Sequence, residues 1–342
     1  MVLDPLICYK VQVFAVLHNG RMDLLELRAR RLIAQHLSPS AARPTPADPR
    51  TAVRSMGAVQ GQTYPAGVRG LSLRSTGPHD ENDSAVHDAI GAGTIVRCWP
   101  MRGTLHFVPA EDARWMMRLG NPPVERAAAR RRPGLGLSPE DVDTARRALH
   151  AALADGPLAR PEVYAVFAAA GVDPGEGRGP HLLRALGGEG ELVQGPKRGR
   201  AETFLLVDSL PVESVELDRE GALALLAARY VDSHGPVTAD DFRWWTGLGK
   251  REAGAALAAV DGAIAVDGFH MGAWQADVTT DEIEQALATE YRLPAFDEYL
   301  LGYHDKSFAL ADALRPHVLT KNGISWNFIV GHGGEVTGCD LA

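Results

Sequence analysis

The stretch SPEDVDTARRALHAALADGPLARPEVYAVFAAAG, residues 138–171, and the stretch REGALALLAARYVDSHGPVTADDFRWWTGLGKREAGAALAAV, residues 219–260, follow one plan. In each, a long amphipathic helix stops at a Gly-Pro-aliphatic step, Gly156-Pro157-Leu158 in the first and Gly235-Pro236-Val237 in the second, and another helix starts just after it. Proline has no N–H to continue a helical ladder, so the step reads as a turn both times. The first copy opens with Ser138 as N-cap and with Glu140 and Asp141 in the first turn, where side-chain oxygens meet the unpaired N–H groups of a helix start. That helix is expected to run to Ala154, with further helices over Arg160 to Ala170 and His181 to Gly187. Strands follow at Glu191 to Gln194 and Thr203 to Val207, around a turn at Gly195 to Gly199. The second copy predicts helices over Arg219 to Ser233, Ala239 to Thr246 and Lys250 to Val260, then a short strand Ile264 to Val266 and a turn at Asp267-Gly268. Three helices and a hairpin, recurring, is the winged helix-turn-helix plan.

Upstream, the same order can be traced once more. A helical period covers Leu24 to Leu37 and stops before a loop holding Pro39, Pro44, Pro46 and Pro49. Helical candidates around Met56 to Val59, Val68 to Leu73 and Asp83 to Ala92 lead into strand-like Thr94 to Trp99 and Thr104 to Val108. Downstream of Thr279 comes an acidic segment, Asp281 to Glu290, then Leu293 to Tyr303, a strand-like run Ile324 to Val330 and a strand beginning at Val336, expected to be cut short. The predicted fold class is mainly α with small β-hairpins (α+β), as three tandem winged helix-turn-helix modules plus a C-terminal β-rich segment. The expected division is an N-terminal extension over 1–22, a first module over 23–115, a basic linker over 116–137, modules over 138–210 and 211–278, and the β-rich segment over 279–342.

Composition limits the function classes. The 342 residues are 45% hydrophobic and 23% charged, which suits several packed cores rather than disorder. Cys8, Cys98 and Cys339 are far apart and outside any metal-ligand spacing, so neither disulfides nor structural metal is expected, and a reducing cytoplasm fits. Val11 to Leu17 is too short to span a membrane, and Lys10 interrupts the one run that imitates a signal peptide. Formal net charge is −8, against the basic balance usual in DNA binders. The cations nevertheless cluster: Arg126, Arg130, Arg131 and Arg132 in the linker, Lys197, Arg198 and Arg200 at the tip of the second wing, Lys250 and Arg251 at the start of the third helix of the third module. Those are the places where a winged helix meets phosphates, although such runs also serve as solvated faces.

The candidate chemistry lies in Met56-Gly57-Ala58-Val59-Gln60-Gly61-Gln62-Thr63-Tyr64-Pro65. Gly61 and the approaching Pro65 favour a helix ending here, and in extended chain positions two apart share a face. Gln60 and Gln62 then aim both carboxamides into one cleft, or they merely cap a helix end. Arg102, Thr104 and His106 alternate along the second strand of the first hairpin and can offer one polar face to DNA, while Thr104 and His106 can equally satisfy buried backbone groups. Asp297, His304 and Asp305 are read as structural hydrogen-bonding groups. Trp115, Met116 and Met117 are read as core.

Gln60-Gly61-Gln62, the segment Trp99 to Asp112 and the segment Leu293 to Tyr303 together resemble the landmarks of the AlkZ/YcaQ winged-helix DNA glycosylase family, over about Leu24 to Gly338. The resemblance implies three winged helices around a concave DNA-binding surface, no cofactor, and a catalytic Gln-x-Gln or Gln-x-Asp motif with an aliphatic centre, onto which Gln60 and Gln62 fall. Gly61 departs from that centre. The ends of the chain also depart, with an added N-terminus and a short C-terminus. The implied activity is hydrolysis of the N-glycosidic bond of N7-alkylated purines in double-stranded DNA by a monofunctional, monomeric, nucleoid-associated enzyme, extending to interstrand crosslinks or to bulky natural-product adducts in antibiotic self-resistance. The competing readings are a winged-helix transcription regulator, which would need a dimerising helix the sequence does not display, and a catalytically inactive paralogue.

Overall fold

The computed structural model describes residues 22–320 and 322–340; residues 1–21 of the expected extension, with Cys8 and Lys10, lie outside them. Helix α1 (Leu24–Ala34) is followed by α2 (Pro49–Met56), β1 (Val59–Gln60), α3 (Tyr64–Ser72), α4 (His79–Gly91) and the hairpin β2 (Ile95–Met101) and β3 (Thr104–Pro109). Helices α5 (Ala113–Gly120) and α6 (Pro122–Ala129) lead to α7 (Pro139–Leu153), β4 (Leu158–Ala159), α8 (Arg160–Ala169), α9 (Arg178–Gly188) and the hairpin β5 (Leu192–Gln194) and β6 (Thr203–Leu206). Next come α10 (Arg219–His234), α11 (Ala239–Thr246), α12 (Lys250–Ala258) and the hairpin β7 (Ile264–Val266) and β8 (Phe269–Met271). The remainder is α13 (Thr280–Ala288), β9 (Tyr291–Leu293), α14 (Glu298–Leu301), α15 (Arg315–Val318), β10 (Phe328–Val330) and β11 (Val336–Cys339).

The order helix, short strand, helix, helix, hairpin thus occurs three times, since Val237 makes an isolated bridge to His270 where β1 and β4 stand in the earlier copies. The helix starts are set locally. Ser138 and Asp141, and Thr238 and Asp241, form reciprocal capping boxes at α7 and α11, each satisfying N–H groups a helix start leaves open.

The hairpins do not stay separate. Arg97 of β2 pairs with Gln194 of β5, so one six-stranded antiparallel sheet runs β1-β3-β2-β5-β6-β4 through the first two copies. Trp99 and Leu105 of the first hairpin are buried in the same core as Leu149, Phe167 and Leu182 of the second copy. A larger core joins the first hairpin, α10 to α12 and the C-terminal segment, and it holds Trp115, Met116 and Met117 as expected.

Helix α1 is the spine of that larger core. Arg28, Arg30 and Arg31 are all buried. Arg30 donates to the carbonyl of Gln275 (2.6 Å), Arg31 to that of Pro236 (3.0 Å), and the Arg31 guanidinium lies 3.8 Å from the centre of the Tyr303 ring. Nearby, Arg74 and Asp297, both fully buried, form a two-pronged pair at 2.9 and 2.8 Å; Arg74 also donates to Gly70 O and Gln35 Oε1. Asp297 therefore holds α3 to the C-terminal segment. No helix among the described residues is long and apolar enough to cross a membrane.

Candidate active site

Helix α2 stops at Gly57, whose φ of 77° suits a residue without a Cβ. The chain then runs extended, and β1 pairs antiparallel with β3 through Val59 to Phe107 and Gln60 to His106. The Gln60-Gly61-Gln62 motif accordingly sits on a sheet edge, not at a helix end, and Pro65 opens α3 rather than closing the helix before it. Gln60 is buried, at 6% exposure, while Gln62 is exposed. The Gln60 carbonyl oxygen accepts from two backbone N–H groups, Gly61 at 3.1 Å and Gln62 at 3.3 Å; the Gln62 carbonyl oxygen accepts from Leu105 N at 3.2 Å. Because backbone N–H groups are obligate donors, they fix which end of each carboxamide faces them.

Two charged side chains grip this backbone. Glu298, 1% exposed, accepts from Gln60 N at 2.8 Å on one oxygen and from Trp245 Nε1 at 3.0 Å and His234 Nε2 at 3.4 Å on the other. Burial raises its pKa, but the His234 hydrogen bond, the charges of His234 and His106 and the Gln60 N–H outweigh this and hold it at about 2. From the other side Arg97, also buried, donates to Gly61 O (2.7 Å) and Gln62 O (3.1 Å) and reaches Gln194 Oε1 (2.7 Å) and Glu202 Oε1 (3.1 Å) in the second copy. Gly61 has a packing reason as well. A Cβ there would lie 3.2–3.3 Å from the Phe107 ring, and the ring also presses on Gly67 of α3. Phe107 stands next to the motif centre, so a side chain there requires the ring to give by a few tenths of an ångström.

The other predicted residues separate into three groups. Arg102 is in the turn between β2 and β3, at φ 53°, so it does not alternate with Thr104 and His106 along a strand. Thr104 bonds the carbonyl of Met101 (3.4 Å), closing that turn. His106 is fully buried and faces no solvent, so of its two expected places, a DNA-facing edge or a group that satisfies buried backbone, it takes the second. Its Nδ1 meets the Thr104 carbonyl at 3.1 Å, and Nε2 has no partner among the described residues. Among the cations, Arg130, Arg131, Arg200, Lys250 and Arg251 are exposed, whereas Arg132 pairs with Glu125 (2.5 Å) and Arg198 with Glu162 (2.8 Å). Lys197 lies 4.1 Å from the centre of the Tyr64 ring, which brings the second hairpin over the start of α3 beside Gln62. A cleft of about 850 Å³ opens next to this point, lined by Thr63, Pro65 and Arg69 on one side and Tyr291 and Pro294 on the other.

Sequence reasoning did not single out Arg97, Glu298 or Tyr64. A charge inside the apolar run Ile95-Val96-Arg97-Cys98 was the available signal for Arg97, and Glu298 lay in view within Leu293 to Tyr303. No group of three or more His, Cys, Asp or Glu among the described residues is placed to hold a metal ion.

Comparison with known proteins gives concordant results. The profile of a family described as DNA glycosylase AlkZ-like matches residues 53–339. An interstrand DNA cross-link repair glycosylase of Streptomyces sahachiroi is 26% identical over 281 residues, spanning 71% of this chain and 68% of that protein. The solved structure of the Streptomyces sahachiroi DNA glycosylase AlkZ superposes with a TM-score of 0.71 over 94% of this chain and 89% of that one, at 23% identity, which shows the shared fold.

Two outcomes are expected. Gly61→Val alone overpacks the Phe107 ring and costs about 1–3 kcal/mol; Phe107→Leu in the same chain returns much of it, so a double-mutant cycle read by urea denaturation gives a favourable coupling. The second concerns acid. Burial first, then the charge of Arg102, lower the His106 pKa from 6.5 to about 4. Between those values the unfolded chain binds a proton the folded chain does not, so stability falls as pH drops through that window. His36, lowered to about 3 by burial and by Arg43 and Arg74, adds to the same loss, and Glu298 adds its own from about 4.5 down to 2. His106→Gln reduces the slope between pH 6.5 and 4 in urea titrations at stepped pH and leaves the lower limb in place.

Proposed function

The chain belongs to the AlkZ-like DNA glycosylase family, and from that premise we propose that it removes N7-alkylated purines from double-stranded DNA by hydrolysis at the Gln60–Gln62 motif, without cutting the strand. The observation that carries this reading is the unequal state of the two carboxamides. The Gln60 carbonyl faces two backbone N–H groups, that of Gln62 and that of Gly61, which it shares with Leu105 O, so what Gln60 has to offer a reactant is its amide hydrogens. Gln62 is exposed and its carbonyl has accepted one N–H, so it offers both a lone pair and amide hydrogens.

A water held by these two groups is correctly disposed for attack. The Gln62 carbonyl accepts one of its hydrogens, the Gln60 amide donates to one oxygen lone pair, and the second lone pair is left for the sugar carbon. Alkylation at N7 puts positive charge on the purine. The base then leaves with the glycosidic electron pair and becomes neutral, and no strong acid is needed to drive it out. The C1′–N9 bond breaks, a C1′–O bond forms and the water loses its second proton to solvent. Neither amide changes protonation state, so the contribution is placement and fixed dipoles. No lysine lies within Met56 to Pro65 to form the imine a strand-cutting enzyme would use, and Lys197, which reaches this neighbourhood from the second hairpin, has its ammonium over the Tyr64 ring; the monofunctional assignment rests on this.

The name of the Streptomyces relative, an interstrand DNA cross-link repair glycosylase, supports extending the substrate range to crosslinked purines; a role in self-resistance to DNA-alkylating natural products belongs to the same proposal. The cleft that Thr63, the residue after Gln62, helps to line is partly open to solvent rather than enclosed, which suits a lesion that stays attached to both strands better than a closed base pocket does.

Changing Gln60 to Glu exchanges its only donor for an acceptor, whereas Gln62→Glu keeps the acceptor that holds the water. In single-turnover excision from a duplex with one N7-methylguanine, read by mild alkaline cleavage on a gel, Gln60→Glu is expected to lose about 10²-fold or more and Gln62→Glu to stay within about tenfold of the unchanged protein. Equal losses would remove the division of labour, and unaltered rates for both would remove the motif from the mechanism.

A further inference from the structure

The turn between β2 and β3 collects positive charge that is in no direct ion pair among the described residues, Glu298 acting on Arg102 and Asp241 and Asp305 on Lys306 only from a distance. Arg102 stands in it, and Arg184 of α9 packs its guanidinium against Gly103, the next residue. On the other side Arg102 lies against Gly247, so close that a Cβ there would sit 3.1 Å from its Cγ. The Arg102 guanidinium carbon is 5.7 Å from the centre of the Trp244 ring and the Lys306 ammonium 4.6 Å from it. Neither Arg102, Arg184 nor Lys306 is in an ion pair among the described residues, and the Nε atoms of both arginines are buried without a hydrogen-bond partner there. Most buried or half-buried arginines elsewhere, such as Arg31, Arg74, Arg97 and Arg229, face a carboxylate.

Such an arrangement works against folding. Lys306, which donates to Tyr303 O (2.7 Å), is held at a pKa of about 8, by burial first and then by the charges of Arg102 and Arg315, which outweigh the opposing Asp241 and Asp305. An anion placed among these cations relieves their repulsion. Trp244 narrows the choice of anion, because an apolar ring that is 40% exposed next to the cations is of no use to a bare inorganic ion but packs well on a sugar or a base. The turn is also close to the motif: Leu105, which donates to Gln62, is three residues beyond Arg102.

We propose that the β2–β3 turn grips one phosphodiester of the DNA strand beside the nucleotide being processed, with Arg102, Arg184 and Lys306 as counter-charges and Trp244 as the wall for the adjoining sugar or base. This rests on the DNA glycosylase reading and adds to it a fixed point for the strand on the side of the motif facing the third module. Cations at the grip set affinity through counterion release, while the ring contributes without charge.

The test is fluorescence anisotropy of a labelled duplex carrying a tetrahydrofuran abasic-site analogue, titrated with the full chain between 50 and 200 mM salt (on the order of the range in which phosphate contacts dominate). The Arg102→Ala/Arg184→Ala variant is expected to bind at least about tenfold more weakly, with the slope of log Kd against log salt lowered by about one, the value of one lost phosphate contact. Trp244→Ala weakens binding and keeps the slope. Arg147→Ala, on the exposed face of α7, serves as the comparison and changes neither. If the double variant does not fold by circular dichroism, Arg102→Gln is read the same way, with the slope lowered and the affinity reduced. Wild-type affinity and slope in whichever of these variants folds would overturn the grip while excision by the unchanged protein keeps the glycosylase reading. Binding with the expected slope change but no excision of any alkylpurine would sustain the grip and remove the glycosylase reading instead.

Discussion

Taking the ionised carboxylate of Glu298 out of water costs several kcal/mol unless donors replace the lost hydration. The donors come from parts of the chain far apart in sequence: Gln60 N–H from the edge strand, His234 from the end of α10, Trp245 from α11. None of these elements can move without leaving a buried charge short of a partner, so the motif strand, the third helix–hairpin unit and the C-terminal segment hold their positions jointly. Asp297, one residue earlier, does the same for α3 through Arg74. Arg97 repeats the device on the opposite side by tying the carbonyls of Gly61 and Gln62 to Gln194 and Glu202. The two glutamines are therefore displayed on a backbone gripped at both its N–H and its C=O groups, which is the condition for neutral amides to act by placement.

This explains how a chain of net charge −8 can present a cationic surface. Much of its arginine is spent internally: on carbonyls around α1, on Asp297 below the motif, on Glu202 of the second hairpin. Wing-tip Arg198 and linker Arg132 are likewise held by Glu162 and Glu125. What matters for an anionic partner is the remainder: the group at the first hairpin's turn, Lys197 over Tyr64, and the exposed Arg130, Arg131, Arg200, Lys250 and Arg251.

The helices of the second and third units were legible because their signals are local. Ser138 with Asp141 and Thr238 with Asp241 mark starts within four residues, and the Gly-Pro steps mark ends. Strand β1 was not legible, because two residues are too few to set up a period, and a motif bounded by Gly57 and Pro65 resembles a helix end just as well. Fusion of the first two hairpins into one sheet depends on the Arg97–Gln194 pairing, a contact between residues 97 positions apart that no local pattern encodes. The same holds for Arg97 and Glu298: each is charged, each is buried, and only the assembled fold reveals what compensates it. His106 stayed open between two places for a related reason, since alternation along a strand identifies a shared face but not which face meets solvent.

The central claim, that this protein severs the bond between an alkylated purine and its sugar, is met most directly by mass spectrometry of the small molecules released when the purified chain is incubated with a duplex holding a single N7-methylguanine. Free N7-methylguanine in amount equal to the abasic sites formed, with the strand intact until alkali is added, is the result the account predicts. Retention of every modified base on DNA that the protein demonstrably binds would contradict it.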